Sequence, residues 1–433
     1  MKLAAAVKPA VIAALAVLLL IPVGMIQGLI AERQARSLEA VRGIAEGWGK
    51  RQTVGGPFLV VPYKRTRTSV VREVVDGRER ERRTEQTSAE TLCLPAETVD
   101  WAIDARVSEK ARGIYHARLY VATAVVRGRF RLPADFGLPA TRDRIDWGTP
   151  RLVLDIADPG GIRGVSPLSA NGETHEFRAG DRAGEGGVHA LLPLQPARTQ
   201  TLDFSFSLEL AGSEALAIAP RGSDTSVTMR ADWPHPSFLG RFLPVRHEIG
   251  AEGFTATWKV SQYAAPGVGS PEALAVSFIE PAGLYQRLER ASKYGFLFIG
   301  LTFAAFLLIE LLRRLALHPI QYALVGLALA IFFLLLTALS EHVAFGLAYA
   351  VAALACVGLI AGYLVHILRS ARLGLAFGAA LGALYAMLYV LLQAEDYSLL
   401  GGSLLLFALL AAVMAATRRV DWYRLGAAQP AAA

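Results

Sequence analysis

The chain has 433 residues, 53% of them apolar, and carries 44 Lys and Arg against 37 Asp and Glu. A mean hydropathy of +0.38 excludes a disordered chain and points to membrane residence. The formal charge of +7 invites a nucleic-acid reading, but its distribution along the chain assigns it to membrane orientation instead.

Residues 1–30 are read as a short cytoplasmic N-terminus followed by a first membrane helix. Residues 11–30 (VIAALAVLLLIPVGMIQGLI) contain no charge and meet the roughly 20 apolar residues that a bilayer core of about 30 Å requires. The alternative is a cleaved signal peptide, since Lys2 and Lys8 precede the apolar run. Against it, the run exceeds the usual h-region and no small-x-small site closes it. Ala31, Ala35, Leu38, Val41, Ile44, Ala45 and Trp48 recur at spacings of three and four, so the helix is expected to continue past the membrane surface.

Residues 31–293 follow an odd number of crossings and are expected outside, in the periplasm of a Gram-negative cell. This region reads as antiparallel and β-rich, a sandwich-like domain with an N-terminal juxtamembrane helix. Leu202, Phe204, Phe206, Leu208 and Leu210 alternate with Asp203, Ser205, Ser207 and Glu209, as in a half-buried strand. Tyr115, Ala117, Leu119, Val121, Thr123 and Val125 predict a second inward face. Asp158-Pro159-Gly160-Gly161, Asn171-Gly172, Gly186-Gly187 and Pro220-Arg221-Gly222 supply turn signals between strands. Residues 64–90 are dense in charge, and Val70, Val71, Val74 and Val75 before Asp76-Gly77 predict a protruding hairpin.

No phosphate loop and no dinucleotide fingerprint occurs. His175-Glu176 and His247-Glu248 open like a zinc-binding helix motif, but Ala179 and Ala251 stand where the second His must be. Gly164-Val165-Ser166-Pro167-Leu168 lacks the closing Gly of a nucleophile elbow. No enzyme activity and no cofactor is therefore expected. One segment stands out, Asp232-Trp233-Pro234-His235-Pro236-Ser237-Phe238-Leu239-Gly240. Two prolines fix the backbone around His235, so Trp233 and His235 are candidates for a rigid recognition loop. The plainer reading is a tight crossover whose aromatic rings plug the core.

Five further apolar stretches come next, residues 294–312, 320–340, 343–368, 373–393 and 399–417, read as a bundle of five membrane helices spanning 294–417. Residues 418–433 form a short tail. At the outer end of the third span, Glu341 and His342 place a carboxylate beside an imidazole, a pairing able to relay protons or bind a cation. Neighbours in sequence point differently on a helix, so Glu395 and Asp396 of the other outer connector are their candidate partners. The plainer reading is a polar helix end. At the inner boundary, Glu310 with Arg313, Arg314, His318 and Pro319 reads as an anchored hairpin turn.

Orientation comes from charge. Outside 31–293 the only Lys and Arg are Lys2, Lys8, Arg313, Arg314, Arg369, Arg372, Arg418, Arg419 and Arg424. An alternating thread puts all nine on one face, while residues 340–342 and 394–398 on the other face hold acids and no Lys or Arg. Six spans with both termini cytoplasmic result. The outer region keeps 35 Lys and Arg against 32 Asp and Glu and is nearly neutral. Cys93 lies in it and Cys356 lies inside a span, so the two cannot pair.

The arrangement resembles the CreD family of bacterial inner-membrane proteins. The residues that carry the resemblance begin with Leu20-Ile21-Pro22, Gly55-Gly56-Pro57, Gly113-Ile114-Tyr115 and Asp232 to Gly240. Tyr285 through Lys293-Tyr294, Leu317-His318-Pro319-Ile320-Gln321-Tyr322, Leu339-Ser340-Glu341-His342 and Asp421-Trp422-Tyr423 complete them. The resemblance covers nearly the whole chain but not the charged 64–90 stretch or the Ala-rich tail. It implies a role in cell-envelope integrity and envelope-stress response, and it brings no functional residues with it. The expected function is non-catalytic contact of the outer domain with periplasmic envelope proteins, cell-wall components or the lipid bilayer. One alternative is a transporter or membrane enzyme with a polar site at Glu341 and His342. Another is a module that senses the periplasm and signals to cytoplasmic partners. The oligomeric state is open.

Overall fold

The computed structural model describes residues 2–393 except 76–77, 140–142, 181–185, 222–223, 265–272, 279–282 and 314–316, together with scattered positions between 402 and 418. The fold is α+β, with seven α-helices among the described residues: α1 (Lys2–Leu18), α2 (Leu20–Trp48), α3 (Leu284–Lys293), α4 (Gly295–Arg313), α5 (Pro319–Ser340), α6 (Phe345–Ile367) and α7 (Ala371–Gln393). The chain divides into two compact units, Met1–Leu38 with Ala282–Ala433, and Glu39–Pro281.

Four helical stretches among the described residues are long and apolar enough to cross a membrane: Ala10–Trp48, Pro319–Ser340, Phe345–Ile367 and Ala371–Gln393. The first is broken between α1 and α2 at Leu19. Pro22 has no N–H to give the carbonyl of Leu18, so a helical hydrogen bond is lost there. The expected last span, 399–417, lies largely outside the described residues. α3 falls in the stretch expected outside, but it groups with the apolar helices because Leu288 and Ala291 are buried in their core.

Helices α6 and α7 approach closely. A Cβ on Gly378 would lie 2.7 Å from Ala361 Cβ, and one on Gly374 would lie 2.7 Å from the Val365 backbone nitrogen. Without a hydrophobic drive between helices in lipid, such small-residue contacts supply the packing. At the start of α5 the imidazole of His318 accepts from the Ile320 N–H and the Gln321 side chain accepts from the His318 N–H, a reciprocal cap. Glu310 accepts from the Tyr322 hydroxyl at 2.8 Å.

Among the described residues, the β unit holds two nine-stranded sheets. The first is built on strand Gln52–Val75, which pairs with Arg78–Pro95 in one long hairpin and also with Arg144–Trp147, Arg151–Ile156 and Ala215–Ala219. In the second, Thr98–Arg112, Tyr115–Leu132 and Gln200–Ser213 run antiparallel in the middle. Among the described residues, pairing is antiparallel apart from Gln52–Val75 with Ala215–Ala219 and Thr98–Arg112 with Asp224–Ala231. Residues of both sheets share one apolar core that includes Leu59, Leu154, Trp101, Phe130, Phe206 and Trp258.

Alternation governs which residues enter that core. Leu202, Phe204, Phe206, Leu208 and Leu210 are all buried, as their spacing requires. The expected face of Tyr115–Leu132 is corrected. Ala117 and Leu119 are buried, but from Tyr120 onward the even positions Ala122, Ala124, Val126, Phe130 and Leu132 go inward. Val125 is 38% exposed. Alanine at 122 and 124 carries a weaker signal than the valines beside it, yet Phe130 and Leu132 gain more by burial than Val121 and Val125.

Tyr120 joins the two sheets. Fully buried, it donates its hydroxyl to the Ala215 carbonyl at 2.9 Å, and burial pushes its ionisation well above the usual tyrosine range. Gln52, also fully buried, donates to the carbonyls of Asp158 and Ala211 at 3.0 and 3.1 Å.

Gly378→Leu should lower the thermal midpoint of the detergent-purified chain by several degrees, while Gly382→Leu, where a Cβ meets nothing within 4 Å, should leave it unchanged. Tyr120→Phe leaves a buried carbonyl without its donor and should cost about 1–3 kcal/mol in denaturant unfolding monitored by Trp fluorescence.

Candidate functional site

The sharpest polar arrangement in the helical unit surrounds Glu341, one residue past the end of α5. Its side chain is only 9% exposed. One carboxylate oxygen accepts from the Tyr285 hydroxyl of α3 at 3.2 Å, and the other lies 3.6 Å from the Arg33 guanidinium of α2. A second contact joins the same two helices, Gln27 Nε2 donating to the Ser292 carbonyl at 3.3 Å.

These contacts fix the direction of the helices. From Gln27 to Arg33 α2 advances six residues, about 9 Å, while α3 between Ser292 and Tyr285 covers seven, about 10.5 Å. The helices therefore run antiparallel, side by side, with Glu341 at the end of their seam. Ser340 is buried and returns its hydroxyl to the Leu336 carbonyl, so it adds no open donor.

Among the expected partners, His342 is exposed and does not join this cluster. Glu395 and Asp396 lie outside the described residues. Sequence reasoning missed Arg33 and Tyr285. Arg33 sits just past the first apolar stretch, and Tyr285 opens a short amphipathic run before the second, but nothing in either run says which carboxylate they meet.

In the β unit, Trp233 donates its indole N–H to the His235 carbonyl at 2.8 Å, and the two rings meet edge-on at 5.9 Å. The Arg118 guanidinium lies 4.4 Å from the Trp233 ring centroid. Asp232 accepts from the Val107 N–H at 2.6 Å. Phe238 packs edge-on against Phe254 and Trp258. His235 is exposed, whereas Trp233 and Phe238 pack against the core. The segment is thus held as a crossover, with His235 at its solvent side.

Beside it, an open cleft of about 810 Å³ is lined by Asp104, Arg106, Arg230, Asp232, Glu248 and Glu252, among others. These residues come from separate strands and a turn, and only the strand order brings them together. No group of three or more metal-ligating side chains occurs among the described residues.

Two side-chain pairs perturb titration on the β unit. The Arg129 guanidinium hydrogen-bonded to Asp203 at 2.5 Å holds that carboxyl below its usual range. The Tyr63 hydroxyl, donating to Glu90 at 2.5 Å, does the same for Glu90.

The model of the family described as "Inner membrane protein CreD" matches residues 4–423. The chain belongs to the CreD family. The CreD inner membrane protein of Escherichia coli (strain K12) is 34% identical over 419 residues, covering 94% of this chain and 91% of that one. Among solved structures, an M1 zinc metallopeptidase from Deinococcus radiodurans is 15% identical, with 42% of this chain and 41% of that one covered at a TM-score of 0.23. An E323A mutant of that peptidase bound to a Tyr-Ser-Ala substrate is 14% identical, with 46% of this chain and 53% of that one covered at a TM-score of 0.23. Structural likeness at that level carries no argument, and membership of the CreD family rests on the sequence matches.

For Glu341, Arg33→Glu should destabilise the chain in detergent by about 1–3 kcal/mol, because it strands a partly buried carboxylate. Adding Glu341→Arg should restore part of the loss in a thermal melt. For Asp203, the depressed carboxyl contributes stability above its ordinary value of about 3.9, and that contribution is lost as pH falls through the lower folded value. Asp203→Asn should therefore flatten the acid limb of stability below about pH 4, as measured by circular dichroism against pH.

Proposed function

We propose that this CreD-family protein is a six-span inner-membrane protein with both termini in the cytoplasm and residues 31–293 in the periplasm. In this reading its five C-terminal spans form a bundle, and the outer domain is sandwich-like. It contributes to cell-envelope integrity and envelope-stress response through non-catalytic contact of that domain with envelope proteins, cell-wall components or lipid.

One observation carries the reading. A large β unit is inserted between the first apolar helix and the rest, and outside 31–293 the nine Lys and Arg fall on a single face of the thread. Glu341 supports the non-catalytic form over transport, because Arg33 and Tyr285 already engage both of its oxygens.

Orientation is tested with the two native cysteines. Cys93 is exposed in the β unit and Cys356 is buried in α6. A membrane-impermeant maleimide applied to intact spheroplasts should label Cys93 and spare Cys356, and labelling of Cys93 only after lysis contradicts the topology. The role is tested by removing residues 53–277 and measuring envelope permeability and detergent sensitivity. Both should rise, and wild-type robustness in both would sink the proposal.

A further inference from the structure

Helix α3 has two different flanks. At about 100° per residue, Tyr285 and Ser292 fall within about 20° of one another, on the side joined to α2. Arg287 and Arg290 fall within about 60° of one another on the opposite flank. Leu288 and Ala291, both buried, lie between the flanks.

The arginine flank is enclosed. The Arg287 guanidinium lies 5.3 Å from the centroid of the Phe345 ring at the start of α6. α3 also packs against α5 and α7. Within this setting Arg290 Nη1 is buried and has no hydrogen-bond partner among the described residues. A buried guanidinium N–H without an acceptor is costly, and such groups in native structures call for a ligand or water.

Depth identifies the acceptor. α4 begins at Gly295 and its 19 residues span about 28 Å, close to the apolar core of a bilayer. Arg290 lies five residues before it, about 7.5 Å beyond the core edge. The headgroup layer extends roughly 5–8 Å on each side. Arginine forks match phosphate oxygens in paired hydrogen bonds, and the aromatic contact holds Arg287 beside the same layer.

We propose that Arg290, assisted by Arg287, forms a binding site for the phosphate of an anionic phospholipid headgroup on the flank of α3 that meets the start of α6. The site belongs to the helical unit alone and does not depend on what the β unit contacts. The phosphate is received as an acceptor, with no bond made or broken.

The test uses the full chain, purified in detergent and delipidated. Phosphatidylglycerol should raise its melting midpoint and remain attached in native mass spectrometry. Phosphatidylcholine should do so less strongly. Arg290→Gln should weaken phosphatidylglycerol retention about tenfold, the loss of one charge-assisted hydrogen bond. Arg290→Lys should recover part of it, and Lys293→Gln, an exposed residue paired with Glu289 on the same helix, should leave it unchanged. Should Arg290→Gln fail to fold, the wild-type contrast between the two lipids still decides. Equal retention of both lipids, or retention unaffected by Arg290→Gln, overturns the site. Protection by millimolar inorganic phosphate with none from the lipid assigns the acceptor to a free anion and overturns the lipid proposal. A failure here leaves the permeability result for the 53–277 deletion standing.

Discussion

A single carboxylate organises the place where the chain leaves and re-enters its helical unit. Glu341 is nearly buried at the end of an apolar helix, where an ionised group needs partners. It takes them from the helix on which the chain departs and from the helix on which it returns. Arg33 brings a charge and Tyr285 a hydroxyl, so both oxygens are engaged. Exposed ion pairs contribute about 0.2–1 kcal/mol, but a buried acid cannot lose its partner so cheaply. The consequence is a fixed antiparallel seam between α2 and α3, closed at its other end by Gln27 and Ser292.

That seam sets the two flanks of α3. Along α3 it commits one flank to α2 and leaves Arg287 and Arg290 on the other, with Arg287 over Phe345. Along α2, the helix runs on to Trp48, whose indole donates to the Tyr120 carbonyl and whose ring has Lys110 and Arg163 within 4.3 and 4.8 Å. Within the β unit, Tyr120 and Gln52 supply polar ties in a largely apolar core. Both side chains are satisfied by backbone carbonyls and not by charge.

Local pattern alone makes much of this architecture legible. Uninterrupted apolar runs announce the helices, and strict alternation from 201 to 210 announces an inward strand face. The alternation of 115–125 misleads because Ala122 and Ala124 are small, and the side on which Phe130 and Leu132 insert decides the face. Glu341 is legible as a polar residue at a helix end. Its partners are not, because Arg33 stands hundreds of residues away and Tyr285 lies in a run whose neighbours the sequence does not specify. Trp233 and His235 are legible as a rigid segment. The neighbouring cleft is not, since its carboxylates and arginines meet only through strand order.

The most direct measurement is disulfide crosslinking across the seam in native membranes. Gln27→Cys and Ser292→Cys are introduced together in a chain whose Cys93 and Cys356 are replaced by Ser. Antiparallel contact of α2 and α3 predicts rapid, near-complete crosslinking under mild oxidation, and little when the second cysteine is moved from 292 to the exposed position 293. Failure of the 27–292 pair to crosslink, in a chain that inserts and folds normally, would contradict the seam.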